Sequence, residues 1–152
     1  MLIVFPLGLL ATSVVFDIVF LSTGNPRWAD ISFWMIASGI VGGLLAAPFG
    51  LVDWLGIPKR TRAKRIGAIH GLGNLAVVLI FAGSWLLRYD APGTPENLAI
   101  ALSIFAVLLA LLTGWLGGEL VDRLGVGVDA GAHVDAPSSL SHRPTDRTAT
   151  GS

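Results

Sequence analysis

Of 152 residues, 53% are hydrophobic and only 13% carry a formal charge, and ten basic side chains balance ten acidic ones to a net charge of zero. Soluble domains carry about 25% charged residues, so this arithmetic excludes an ordinary water-facing surface, and with it the basic face that a nucleic-acid binder needs. With no cysteine there is no disulfide, thiolate nucleophile or Cys-ligated metal site, and a mean hydropathy of +0.74 leaves a polytopic membrane protein.

Four apolar stretches approach or exceed the ~20 residues a helix needs to cross a bilayer, at about 2–22, 31–57, 66–87 and 98–121. The first lacks the basic n-region of a secretory signal and carries Pro6 early and Asp17 late, so it reads as a retained span. Short polar segments around Asn25-Pro26, Pro58-Lys59-Arg60 and Pro92-Gly93 separate the stretches, which makes neighbouring helices antiparallel. Pro48 should kink the second span. The predicted fold is all-α: a four-helix transmembrane bundle over 1–128, followed by a disordered cytoplasmic tail over 129–152. That tail is rich in Ala, Ser, Asp, Pro and Thr, too polar to offset its ordering entropy.

Orientation follows from the loop cations. Lys59, Arg60, Arg62, Lys64 and Arg65 lie between the second and third spans, whereas the opposite side holds only Arg27 and Arg88. The basic loop should be cytoplasmic, which puts both termini inside in a multi-pass inner-membrane protein. Trp28, Trp34, Trp85 and Tyr89 anchor the outer interface and Trp54 the inner one, while Trp115 is expected to pack within the bundle.

Two matches suggest an internal repeat. Leu51-Val52-Asp53-Trp54-Leu55-Gly56 echoes Leu120-Val121-Asp122-Arg123-Leu124-Gly125, and Leu7-Gly8-Leu9-Leu10-Ala11 echoes Leu72-Gly73-Asn74-Leu75-Ala76. They fit two helical hairpins related as a parallel repeat, or else chance among apolar letters.

Small residues predict where helices touch, because close backbone approach drives association in lipid. Gly39 and Gly43 with Ala47 form one ridge, and Gly42 and Gly50 with Ala46 the next. Gly67 and Gly71 mark the third span, Gly114 and Gly118 the fourth. Ionisable groups are rarer, each costing about 2.5–3.5 kcal/mol at the bilayer centre. Asp53, His70 and Glu119 fall roughly 3–6 Å inside a cytoplasmic span end, with Asn74 one turn deeper on the face of His70. Asp53 extends the Gly42–Gly50 ridge and should face the bundle; Asp17 stands alone at the outer end. Asp53, His70, Asn74 and Glu119 form a candidate polar or ligand site near the cytoplasmic face. The competing reading is that they snorkel, cap helices or bond between them, with Glu119 and Arg123 an ordinary i,i+4 pair. No catalytic residue or metal set is assigned. His70 is the sole histidine within the spans, so one chain cannot supply bis-His haem ligation, and no spacing supports zinc.

Several segments resemble one bacterial membrane family, domain of unknown function 2231. They are Phe5-Pro6-Leu7-Gly8-Leu9, Gly50-Leu51-Val52-Asp53 with Ile57-Pro58, and His70-Gly71-Leu72-Gly73-Asn74. The most specific is Gly114-Trp115-Leu116-Gly117-Gly118-Glu119-Leu120-Val121 followed by Gly125-Val126-Gly127-Val128. The resemblance covers about 2–128 and implies a four-span inner-membrane protein without established activity. Some relatives carry a Rieske iron–sulfur domain, which implies a redox association. Val4 stands where family members carry histidine, and Asp122 and Leu124 where they tend to have Tyr and His. An upstream start would supply a further missing His-Pro, but not the histidine at Val4.

The leading expectation is a polytopic packing or interaction module rather than an enzyme. Its partners are the lipid bilayer and either a second copy or a redox protein, with no nucleic acid. The alternative is a redox-associated or cofactor-binding subunit, haem b being the cofactor to test, built on His70 with Asp53, Asn74 and Glu119. A small transporter or proton path ranks third.

Overall fold

A computed structural model describes residues 3–129, 131–138 and 140, and among them there are helices and turns but no strand. Four long helices run in sequence: α1 Val4–Thr23, α2 Pro26–Gly56, α3 Arg62–Leu87 and α4 Asn97–Gly118. A π-helical turn, Glu119–Arg123, extends α4. All four are long and apolar enough to span a membrane.

Local chemistry sets their ends. Gly24 takes the left-handed conformation (φ 66°) and its N–H donates to the Phe20 carbonyl at 2.8 Å, closing α1. At the next residue, the Asn25 side chain accepts from the Arg27 N–H at 3.1 Å with Pro26 at the first helical position. This cap starts α2 five residues before the apolar stretch read from hydropathy. At its far end Ile57 is extended, as the residue before Pro58 must be. Thr61 caps α3 by accepting from the Lys64 N–H, so Arg62, Lys64 and Arg65 lie in the helix rather than in the loop. Hydropathy locates the bilayer; caps locate the helix.

α1 packs most extensively on α2 and α3 on α4, and the two hairpins meet mainly through α2 and α3, with a smaller contact between α1 and α4. The central core comprises Leu10 and Val14 from α1, Ile36 from α2, Val77 and Phe81 from α3, and Ala106 and Ala110 from α4. Outward, large apolar side chains such as Leu44, Phe49, Leu72, Leu111 and Leu112 are exposed. Such a surface would associate in water and is the natural outside of a bundle in lipid. Trp115, expected inside, is 70% exposed and belongs to this outer face.

The glycines divide. A Cβ on Gly39 would meet the Leu10 side chain at 2.6 Å, on Gly42 Pro6 at 3.3 Å, on Gly43 Val78 at 3.1 Å and on Gly67 Trp54 at 2.9 Å. Gly50, Gly71 and Gly114 face open space, and Gly118 has only Asp122 at 3.9 Å. Two further close approaches, Gly73 on Thr113 and Gly117 on His70, hold α3 against α4.

Of the predicted tail, 129–152, the described residues form only isolated turns; the rest, with the histidine at 142, lies outside the described residues.

Candidate functional site

Two polar layers cross the bundle at different depths. The first surrounds His70 and uses α3 and α4. His70 lies eight residues into α3, about 12 Å along its axis, and Asn74 one turn further. The imidazole Nδ1 is 2.8 Å from the Thr113 carbonyl, and Nε2 is 3.0 Å from the Asn74 amide nitrogen. Thr113 in turn donates to Asn74 Oδ1 at 2.9 Å. A carbonyl can only accept, so Nδ1 carries a proton; with Asn74 donating, Nε2 accepts and the ring is neutral. Turning the Asn74 amide over leaves the Nδ1 proton in place and puts a second on Nε2, giving the imidazolium on the same heavy atoms. Nε2–H would then donate to the amide oxygen, the amide nitrogen to the Thr113 hydroxyl, and the hydroxyl to the Ala110 carbonyl 3.1 Å away. Gly117 makes the arrangement feasible, since a Cβ there would stand 3.0 Å from the imidazole Cε1.

The other two members of the expected cluster are elsewhere. Asp53 is exposed and has no hydrogen bond or ion pair among the described residues. It does not face the bundle, because α2 outlasts α1: Gly42 already packs on Pro6, near the start of α1, and the turns beyond have no α1 neighbour. Glu119 pairs not with Arg123 but with Arg62, at 2.6 Å, tying the start of α3 to the end of α4. The structure therefore joins His70 to Asn74, adds Thr113 and Gly117, and leaves Asp53 and Glu119 apart.

A haem iron would need a free imidazole nitrogen. Both nitrogens of His70 are engaged within the chain, so the residues as arranged do not fit that group. Among the described residues, no group of three or more His, Asp or Glu side chains could hold a metal ion.

The second layer lies at the opposite end and engages all four helices. Asp17, expected to stand alone, is fully buried and bound by fully buried Arg88. The guanidinium grips the carboxylate through two bonds, Nη1 to Oδ1 at 2.6 Å and Nη2 to Oδ2 at 2.8 Å. Nη1 also donates to Ser32 at 3.3 Å, Nη2 to Ser103 at 3.0 Å and Nε to Ser84 at 3.2 Å. A guanidinium has five N–H groups, and five acceptors meet them. The hydroxyls form a consistent chain: Ser84 donates to the Ala99 carbonyl at 2.7 Å and lies 2.8 Å from Ser103, which can donate to it. Asp17, Ser32 and Ser103 each lie six residues inside their helix ends, about 9 Å deep. Arg88 sits at the C-cap of α3 and reaches inward, opposite to the snorkelling expected of a cation near a membrane surface.

Sequence reasoning missed Arg88, Ser32, Ser84 and Ser103. By its position just past the third apolar stretch, Arg88 counts as a loop cation. The available signal was the i,i+4 spacing of Ser84 and Arg88, together with single serines interrupting apolar runs at matching depths.

A bundle of four apolar helices enclosing two polar layers has the construction of an α-helical integral membrane protein. The family model "Predicted membrane protein (DUF2231)" matches residues 1–130, and the chain belongs to that family. Neither the curated proteins nor the solved structures yield a match.

Proposed function

We propose that this chain is a non-enzymatic structural and interaction module of a bacterial inner membrane, multi-pass with both termini in the cytoplasm. The observation supporting this reading is that the polar groups around Arg88 and His70 spend their hydrogen bonds inside the chain. All five donors of Arg88 and both nitrogens of His70 have partners inside the chain. A binding or catalytic centre keeps groups available for a substrate or cofactor; a folding device closes them. The orientation rests on the excess of cations at the α2–α3 end of the bundle, from Lys59 to Arg65.

Absorption spectra and ligand mass spectrometry on protein purified in detergent after haem-replete expression test the reading. The expected result is no stoichiometric Soret band and no retained small-molecule cofactor. A stoichiometric band lost in His70→Ala would contradict it and establish a haem-binding subunit.

A further inference from the structure

The turn between α2 and α3 is crossed by several side-chain bonds. Thr61 donates to the Pro58 carbonyl at 2.8 Å while capping α3, and Ile57 is buried beneath. Trp54 and Lys64 clamp one another across it: the indole N–H donates to the Lys64 carbonyl at 3.1 Å, and Lys64 Nζ donates to the Trp54 carbonyl at 2.6 Å. The ammonium also lies 3.8 Å from the indole ring centroid. Arg60 holds φ at 63°, a conformation uncommon for any residue but glycine. A strained, exposed arginine on a fixed turn invites a functional explanation.

The cations here fall into two groups. Arg62 is committed to Glu119 and Lys64 to Trp54. Lys59, Arg60 and Arg65 are exposed and have no partner among the described residues. The exposed carboxylates at this end of the bundle, Asp53 and Asp122, make no ion pair with them. On either side of the turn along the chain, the last turns of α2 and the first turns of α3 expose Leu51, Val52, Leu55, Ile69 and Leu72. Fixed positive charge thus sits at the rim of an apolar wall, where a phospholipid places its phosphate above its acyl chains.

We propose that Lys59, Arg60 and Arg65 form a binding site for the phosphate of an anionic phospholipid, whose acyl chains run along the exposed faces of α2 and α3. The apolar wall favours a lipid over a soluble anion, and the excess positive charge favours an anionic headgroup over a zwitterionic one.

Native mass spectrometry of the full-length protein released from micelles tests this, with phosphatidylglycerol, phosphatidylcholine and inorganic phosphate as probes. The wild type should retain phosphatidylglycerol in preference to phosphatidylcholine. Each basic residue near an anionic surface contributes about fivefold in affinity, so Arg60→Gly should lose about fivefold and Lys59→Gln/Arg60→Gly/Arg65→Gln about a hundredfold. Arg60→Gly also relieves the left-handed strain, so circular dichroism should show a fold at least as stable as the wild type, separating lost binding from lost structure. Undiminished retention of phosphatidylglycerol by the triple variant, or equal retention of phosphatidylcholine, would overturn the proposal. So would release of the lipid by an equal concentration of inorganic phosphate.

Discussion

His70 illustrates how a polar side chain can enter an apolar bundle. One ring nitrogen donates to the Thr113 carbonyl, the other bonds the Asn74 side-chain amide, and Gly117 leaves room for the ring edge. Interhelical hydrogen bonds of this kind contribute about 0.6 kcal/mol on average and up to about 1.7 in membrane proteins. Asn74→Leu removes one such bond, from Thr113, together with the bond to His70 within α3, and should destabilise the bundle by roughly 1–2 kcal/mol, read by reversible unfolding in mixed micelles. Thr113→Val keeps the carbonyl that receives His70 and should cost less than Asn74→Leu. Loss of fold in Thr113→Val alone would show that the hydroxyl has a larger role. The pairing of His70 with Asn74 was legible in the sequence, because i,i+4 spacing fixes a shared helix face. Thr113 was not, since a threonine in an apolar helix more often bonds its own backbone, as Thr113 also does.

Between elements, packing depends on which small residues have a neighbour. Gly73 and Gly71 are two residues apart on α3, yet only Gly73 approaches α4. Gly73→Ala should therefore overpack the α3–α4 seam at a cost of about 1–3 kcal/mol, whereas Gly71→Ala should change stability by no more than about 0.5 kcal/mol. Unfolding curves for the two variants would settle this, and equal effects would contradict the observed packing. Four helices and their antiparallel order could be read from hydropathy alone, because each apolar run matches the bilayer thickness. Their ends could not, since Asn25 and Thr61 cap α2 and α3 outside the apolar runs. Asp53 shows a further limit: a ridge of small residues predicts a contact only while a partner helix is alongside, and α1 is eleven residues shorter than α2.

At the scale of the whole molecule, the Asp17–Arg88 layer links the two hairpins more completely than the thin α1–α4 contact does. Arg88 at the end of α3 binds α1 through Asp17, α2 through Ser32 and α4 through Ser103. Charge counting placed Arg88 in a loop because it stands just past the third apolar stretch, and its inward reach depends on an acid far away in the chain. The same counting predicts a cytoplasmic C-terminus. A reporter active only in the cytoplasm, fused after Val128, should be active, and activity of a periplasmic reporter there would invert the proposed orientation.

If the polar layers are folding devices, their members must be coupled in stability. A double-mutant cycle on Asp17→Asn and Arg88→Met, followed by unfolding in mixed micelles, tests this most directly. Asp17→Asn strands a buried cation and Arg88→Met a buried anion, so each should cost about 3–5 kcal/mol. The double variant, which strands neither, should lose markedly less than the sum of the two. Near-wild-type stability in both single variants, or strictly additive losses, would contradict a structural role for the layer.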